Sequence, residues 1–138
     1  MKNTLLIALA AILALASSAR ADIPELLVAI RTVETGGVAS PPDGDGGASV
    51  GAFQIHFGFW KDAIDFDPSI GGCYADCRTD PDYSASVVRA YWRRYAAKAL
   101  ASCDYETLAR IVNGGPHGAE KRSTLGYWKR VRAAMAAE

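Results

Sequence analysis

The chain has 138 residues, half of them apolar and 22% charged, with 15 basic and 15 acidic side chains in balance. That balance excludes capture of nucleic acid or another anionic polymer by general positive charge, so any acidic partner must be held by local contacts. His56 and His117 lie far apart and share no ligand spacing with Cys73, Cys77 or Cys103, so the pattern implies no metal site and no cofactor.

Met1 to Ala21 carries Lys2, an unbroken apolar run from Leu5 to Ala16, and Ala19-Arg20-Ala21. This is the pattern of a secretory signal peptide, and the run is shorter than the ~20 residues that a membrane span needs. Residues 1–21 are therefore expected to be removed, leaving 22–138 as one secreted or periplasmic domain with no membrane anchor and with oxidising surroundings for its thiols. Lys2 and Arg20 leave with the leader, which makes the remainder slightly acidic. A Cys73–Cys77 disulfide is the expected pairing, with Cys77–Cys103 as the alternative.

Asp22-Ile-Pro-Glu25 reads as a capped helix start, Leu26, Ile30 and Val33 recur at helical spacing, and Gly36-Gly37 stops the helix. Glu34 is thereby predicted on its last turn. Pro41 to Gly47 is almost entirely Pro, Asp and Gly and must be loop or hairpin turn. Val50 to Ile55 is short, apolar and bounded by turns, which predicts a strand or extended arm, while Asp62 to Thr79 reads as irregular chain. A long helix should carry Val87, Val88, Tyr91, Trp92, Tyr95 and Ala99 on one stripe, opposite Arg89, Arg93, Arg94 and Lys98. A third helix runs from a cap at Asp104 through Leu108, Ile111 and Val112 to Asn113-Gly-Gly-Pro116. Thr124 is the predicted cap of a last helix that buries Leu125, Trp128, Val131 and Met135. Four helices with a small β region after the first make a mostly helical α+β domain.

The residues that could carry chemistry are carboxylates. Glycosidic cleavage needs an acid to protonate the departing oxygen and commonly a second carboxylate for the developing cation or for water. Glu34 ends an apolar helix, where Ile30 and Val33 can desolvate it and raise its pKa. Asp43 and Asp45 lie in a glycine-rich turn that leads into Ala48-Ser-Val-Gly-Ala-Phe-Gln-Ile55, and either could face Glu34 or simply make the turn.

Val33-Glu-Thr-Gly-Gly37, Gly51-Ala-Phe-Gln-Ile55 with Trp60, Tyr91-Trp-Arg-Arg-Tyr95, and Ala109-Arg-Ile-Val-Asn-Gly-Gly-Pro-His-Gly118 followed by Ser123-Thr-Leu-Gly-Tyr-Trp128 occur in this order. They resemble the motifs of invertebrate-type lysozymes, the destabilase family, over about residues 26 to 132. The resemblance implies a lysozyme-like fold with a cleft between the first helix and the β arm. It also implies a muramidase that cuts between N-acetylmuramic acid and N-acetylglucosamine in peptidoglycan, acting as a monomer and on no nucleic acid. Glu34 occupies the place of the family's acid, with Thr35 substituting for serine. The second carboxylate falls out of register by one residue, Asp45 closer to Gln54 and Asp43 further away. Asp45 is chosen because Asp45-Gly-Gly-Ala-Ser-Val-Gly51 also resembles the Asp-Gly-Gly run of other small muramidases, and Asp43 stays open.

Ser49, Gln54, His56, Asn113, His117 and Tyr127 are the candidate substrate contacts, Tyr127 by stacking on a sugar and the others by hydrogen bonding. The chain departs from the resemblance in its cysteines: Cys77 holds a family position, whereas Tyr83 and Val87 stand where others would be, which implies a reduced-cysteine branch. Two alternatives to hydrolysis remain on sequence grounds: a lytic transglycosylase using Glu34 alone, and a non-catalytic peptidoglycan-binding relative. Isopeptidase activity, attributed to some relatives, would need Ser49, Ser123 or His117, but no spacing here demonstrates a nucleophile and its base.

Overall fold

The computed structural model describes residues 23–137. The predicted signal peptide lies outside the described residues. Six α-helices are present among them: α1 (Pro24–Thr35), α2 (Phe57–Phe66), α3 (Pro81–Tyr95), α4 (Ala97–Ser102), α5 (Tyr105–Gly114) and α6 (Leu125–Ala136). A two-stranded antiparallel hairpin, β1 (Ser49–Val50) and β2 (Ile55–His56), pairs Ser49 with His56 and Val50 with Ile55. The mostly helical α+β expectation is met. None of the described helices is long and apolar enough to cross a membrane.

Helix α1 forms because Leu26, Leu27, Ala29 and Ile30 bury one face, each Leu or Ile side chain contributing roughly 1.5–3 kcal/mol. Its start differs from the expectation, since buried Ile23 occupies the cap in a left-handed conformation (φ 33°) and offers no side-chain bond. Pro24 then begins the helix with its φ already set. At the other end Gly36 (φ 66°) turns left-handed, and the amides of Gly36 and Gly37 close onto Thr32 O and Arg31 O at 2.9 and 3.3 Å. Helix α6 packs on α1 more extensively than any other element does.

Helix α2 was not legible as a helix: its cap residue His56 gives no side-chain bond, and four of its ten residues, Phe57, Phe59, Trp60 and Phe66, are aromatic. It is held from outside. Phe59 stacks on Tyr91 of α3 with ring centroids 3.7 Å apart, and Arg94 donates to Asp62 O at 2.6 Å. The rest of the 62–79 stretch contains short 3₁₀ turns at Pro68–Ile70 and Tyr74–Arg78.

Asp80 caps α3 by accepting from the Tyr83 amide at 2.9 Å, and fully buried Trp92 donates its indole N–H to Leu108 O at 3.0 Å. The predicted long helix breaks at Ala96 (φ −141°), so Ala99 belongs to the separate helix α4. Asp104 caps α5 as expected, accepting from the Thr107 amide at 3.2 Å. Thr124 does not cap α6. Its buried hydroxyl donates to Gly118 O at 2.7 Å and accepts from Arg110 Nε at 2.9 Å, tying the chain after α5 back onto α5. The apolar stripe of α6 is also rotated from the expectation: Tyr127 and Val131 are buried, Trp128 and Met135 half-buried, and Leu125 exposed.

Neither expected disulfide is formed. Cys73 is exposed at the start of the Tyr74–Arg78 turn whereas Cys77 is fully buried, so the two side chains leave that turn on opposite faces. Burial pushes the Cys77 thiol up to about 11. Cys77 contributes instead through packing, because its carbonyl lies where a Cβ on Gly51 would stand, 1.6 Å away, and Gly51 also has a positive φ of 71°.

Gly51→Ala should therefore destabilise the domain by at least about 2 kcal/mol in urea denaturation. Gly58→Ala in α2, where a Cβ meets nothing within 4 Å, should instead stabilise it by ~0.4–1 kcal/mol. Equal effects of the two substitutions would contradict this packing.

Candidate active site

Glu34 stands on the last turn of α1, where the buried face of the helix meets α6. Its Oε1 accepts a hydrogen bond from the Tyr127 hydroxyl at 2.8 Å, and Tyr127 is only 3% exposed. Burial is the largest influence on the carboxyl and raises its pKa above the ordinary glutamate value. The Tyr127 bond and the positive charge of Arg130 pull it back without reversing the shift, while Asp45 adds to the rise and His56 opposes it. Arg130 belongs to the same helix as Tyr127 and sits over its ring, 5.7 Å from the centroid. The Tyr127 hydroxyl is held far above its usual range, by burial and then by the Glu34 charge, so it remains a donor.

Asp45 comes from a tight 3₁₀ turn, Asp45–Gly47, closed by an antiparallel bridge between Gly44 and Ser49. Gly44 is required there, since a Cβ would stand 2.0 Å from Gln54 Oε1 and 2.7 Å from Ser49 Oγ. Asp45 itself is left-handed (φ 50°), which costs a non-glycine residue on the order of 1–3 kcal/mol. Its Oδ2 lies 3.2 Å from His56 Nε2, and its charge reaches Glu34. Asp43 is engaged elsewhere, accepting from Arg78 Nε and Nη2 at 3.2 and 3.0 Å. The geometry thus separates the two aspartates that sequence left as alternatives.

The remaining candidates divide. Gln54 and His56 flank the Asp45 turn. Ser49 is 1% exposed and donates its hydroxyl to Gln54 Oε1 at 3.0 Å, so it stands behind Gln54 and not at the surface. Gln54 Nε2 in turn donates to Gly51 O at 3.0 Å. Tyr127 presents no ring for stacking because it is buried as the partner of Glu34. Asn113 and His117 are exposed around the end of α5, and His117 Nδ1 lies 3.4 Å from Glu120. No bond among the described residues joins either of them to Glu34. Trp128 lines a separate hollow of about 580 Å³ with Cys103, Tyr105 and Met135. No group of three or more His, Cys, Asp or Glu side chains is arranged to hold a metal among the described residues.

Two contributors escaped the sequence reading. The Thr35 hydroxyl lies 3.1 Å from Ala52 O, linking the end of α1 to the hairpin turn. Arg130 was passed over because only the packing of α6 on α1 brings its charge to bear on Glu34. Together these groups make a half-buried carboxyl with a raised pKa within electrostatic reach of an exposed carboxylate, a combination suited to acid-assisted bond cleavage.

Because the folded value of Glu34 lies above its unfolded one, its favourable contribution is complete below the unfolded value and is lost as pH rises through the folded one. Glu34→Gln keeps an acceptor for Tyr127 but cannot ionise. Its melting temperature should therefore gain on the wild type as pH is raised from about 4 to neutrality. A difference that is flat with pH, or that shrinks, would contradict the burial of this carboxyl.

The Destabilase family model matches residues 27–134. Lysozyme 1 of Crassostrea virginica is 40% identical over 85 residues, covering 62% of this chain and 44% of that protein. A lysozyme of Magallana gigas is 37% identical over 83 residues, covering 60% and 58%, so the chain spans about half the length of these relatives. Invertebrate-type lysozyme 6 of Caenorhabditis elegans is 32% identical over 98 residues, covering 65% and 70%. Among solved structures, Tapes japonica lysozyme superposes with a TM-score of 0.65 at 32% identity, covering 78% of this chain and 86% of that one. The complex of Aeromonas hydrophila PliI with Meretrix lusoria lysozyme gives a TM-score of 0.65 at 33% identity, covering 79% and 87%. With nearly the whole described domain inside that match, and the fold shared with solved lysozymes, the chain belongs to the Destabilase family.

Proposed function

We propose that the protein is a muramidase that hydrolyses the β-1,4 bond between N-acetylmuramic acid and N-acetylglucosamine in bacterial peptidoglycan. The observation that carries this reading is Glu34: a carboxyl raised by burial, hydrogen-bonded by Tyr127 and close to the exposed carboxylate of Asp45. Protonated Glu34 gives its proton to the glycosidic oxygen as the bond to the anomeric carbon breaks. Asp45, ionised and at the open edge, meets the positive charge that develops on the sugar. Glu34 is then a carboxylate and takes a proton from the water that completes hydrolysis, which returns it to its starting state. Tyr127 steadies that carboxylate phase, while burial restores the preference for the proton.

Hydrolysis is preferred to transglycosylation because a second carboxylate is present and Asp43 does not compete for its place. Gln54, beside the Asp45 turn, is the nearest contact for the sugar's polar groups. The substrate fits a leader over residues 1–21 and action in the secreted or periplasmic space, where murein lies. No cofactor takes part in these steps.

Glu34→Gln should reduce clearing of a peptidoglycan suspension by about 10²–10⁴-fold. Asp45→Asn should also lose most activity, whereas Asp43→Asn should keep it. Mass spectrometry of the digests should show free reducing ends. Anhydro-sugar products with full activity in Asp45→Asn would reassign the chemistry to a transglycosylase. An intact wall after incubation with wild type would refute the enzymatic reading altogether.

A further inference from the structure

The hairpin register places His56 directly across from Ser49, at the point where β2 passes into α2. Ile55 turns into the core and His56 turns out, so the imidazole is carried by extended backbone (φ −78°, ψ 152°) on a well-fixed support. That support is tied down on its other side, since the Tyr74 hydroxyl donates to Ile55 O at 2.7 Å. Asp45 has a different problem. Its backbone is pinned by the bridge of Gly44 to Ser49, yet its side chain is 68% exposed. Among the described residues, His56 is the one side chain recorded in contact with its carboxylate, with Nε2 3.2 Å from Oδ2.

We propose that His56 is a positioning residue that holds the Asp45 carboxylate within electrostatic reach of Glu34, and not a contact to substrate. This rests on the muramidase reading for its kinetic consequence but not for its geometry. An exposed aspartate on a glycine-rich turn samples several rotamers, and only some face the anomeric carbon. An imidazole on a strand end, with Nε2 in ion-pair contact with Oδ2 at 3.2 Å, restricts that choice, in the way an outer partner orients a catalytic group elsewhere. The attraction is electrostatic and acts when the ring carries its second proton. Glu34 from α1 is the charged group that both members of this pair act on, Asp45 and His56 with opposite sign.

The test combines kinetics with a readout that needs no activity. His56→Ala should lower kcat by about 10-fold with KM changed less than about 2-fold, because an interaction that orients a reacting group acts in the transition state. His56→Gln, whose side-chain amide can donate to Asp45, should recover most of that loss. In an Asp45→Asn background His56→Ala should cost nothing further, since the residue would act only through Asp45. Three-bond couplings should report one χ1 rotamer for Asp45 in the wild type and averaging in His56→Ala. A loss confined to KM, full additivity with Asp45→Asn, or unaltered Asp45 couplings would each overturn the proposal. If the wild type leaves peptidoglycan intact, the muramidase reading fails while the couplings still decide whether His56 orients Asp45.

Discussion

A carboxyl group removed from water at the end of a helix must keep its proton or find a donor, and Glu34 sits between these outcomes. Burial favours the neutral form, while the Tyr127 hydroxyl at 2.8 Å and the Arg130 charge favour the ionised one. The contest leaves the carboxyl holding its proton more readily than an ordinary glutamate, which favours an acid that must donate and then recover. Both opposing groups come from one turn of α6, so the packing of α6 on α1 sets the balance. Buried Val131 in α6 and Leu26, Leu27 and Ile30 in α1 therefore serve the chemistry as well as the core.

The other half of the site stores strain where the helical half stores burial. Asp45 and Gln54 both adopt left-handed backbone that non-glycine residues rarely take, and both lie in the turns of the same hairpin. The cost is sustained by their surroundings: the Gly44 to Ser49 bridge beside Asp45, and for Gln54 its bonds with Ser49 and Gly51. The close approach of Gly51 to the Cys77 carbonyl then anchors this hairpin to the turn before α3. A carboxylate on so short and constrained a segment has little backbone freedom, which leaves its side-chain rotamer as the remaining variable.

Local signals carried much of this into the sequence. The Gly36-Gly37 stop put Glu34 on a last turn, Asp104 capped its helix, and the Pro-Asp-Gly run from 41 to 47 was recognisable as turn. What stayed hidden depended on contacts between distant segments. Tyr127 lies 93 residues from Glu34, so its aromatic ring suggested sugar stacking when its hydroxyl was the relevant group. Helix α2 has no capping side chain and is stabilised by Tyr91 and Arg94 of α3, which no local window contains. The engagement of Asp43 by Arg78, 35 residues further along, was likewise beyond any local window. The disulfide expectation failed for a related reason: spacing shows that two cysteines are near in the chain, but not that one faces solvent and the other the core.

The central claim is that Glu34 retains its proton beyond the ordinary glutamate range because it is buried, with Tyr127 as a counterweight. Titration of the Glu34 carboxyl carbon by ¹³C NMR, in the wild type and in Tyr127→Phe, measures this directly. The account predicts a midpoint above the ordinary value of 4.5 in the wild type and a higher one once the phenolic donor is gone. A wild-type midpoint at or below that value, or a downward move in Tyr127→Phe, would contradict it.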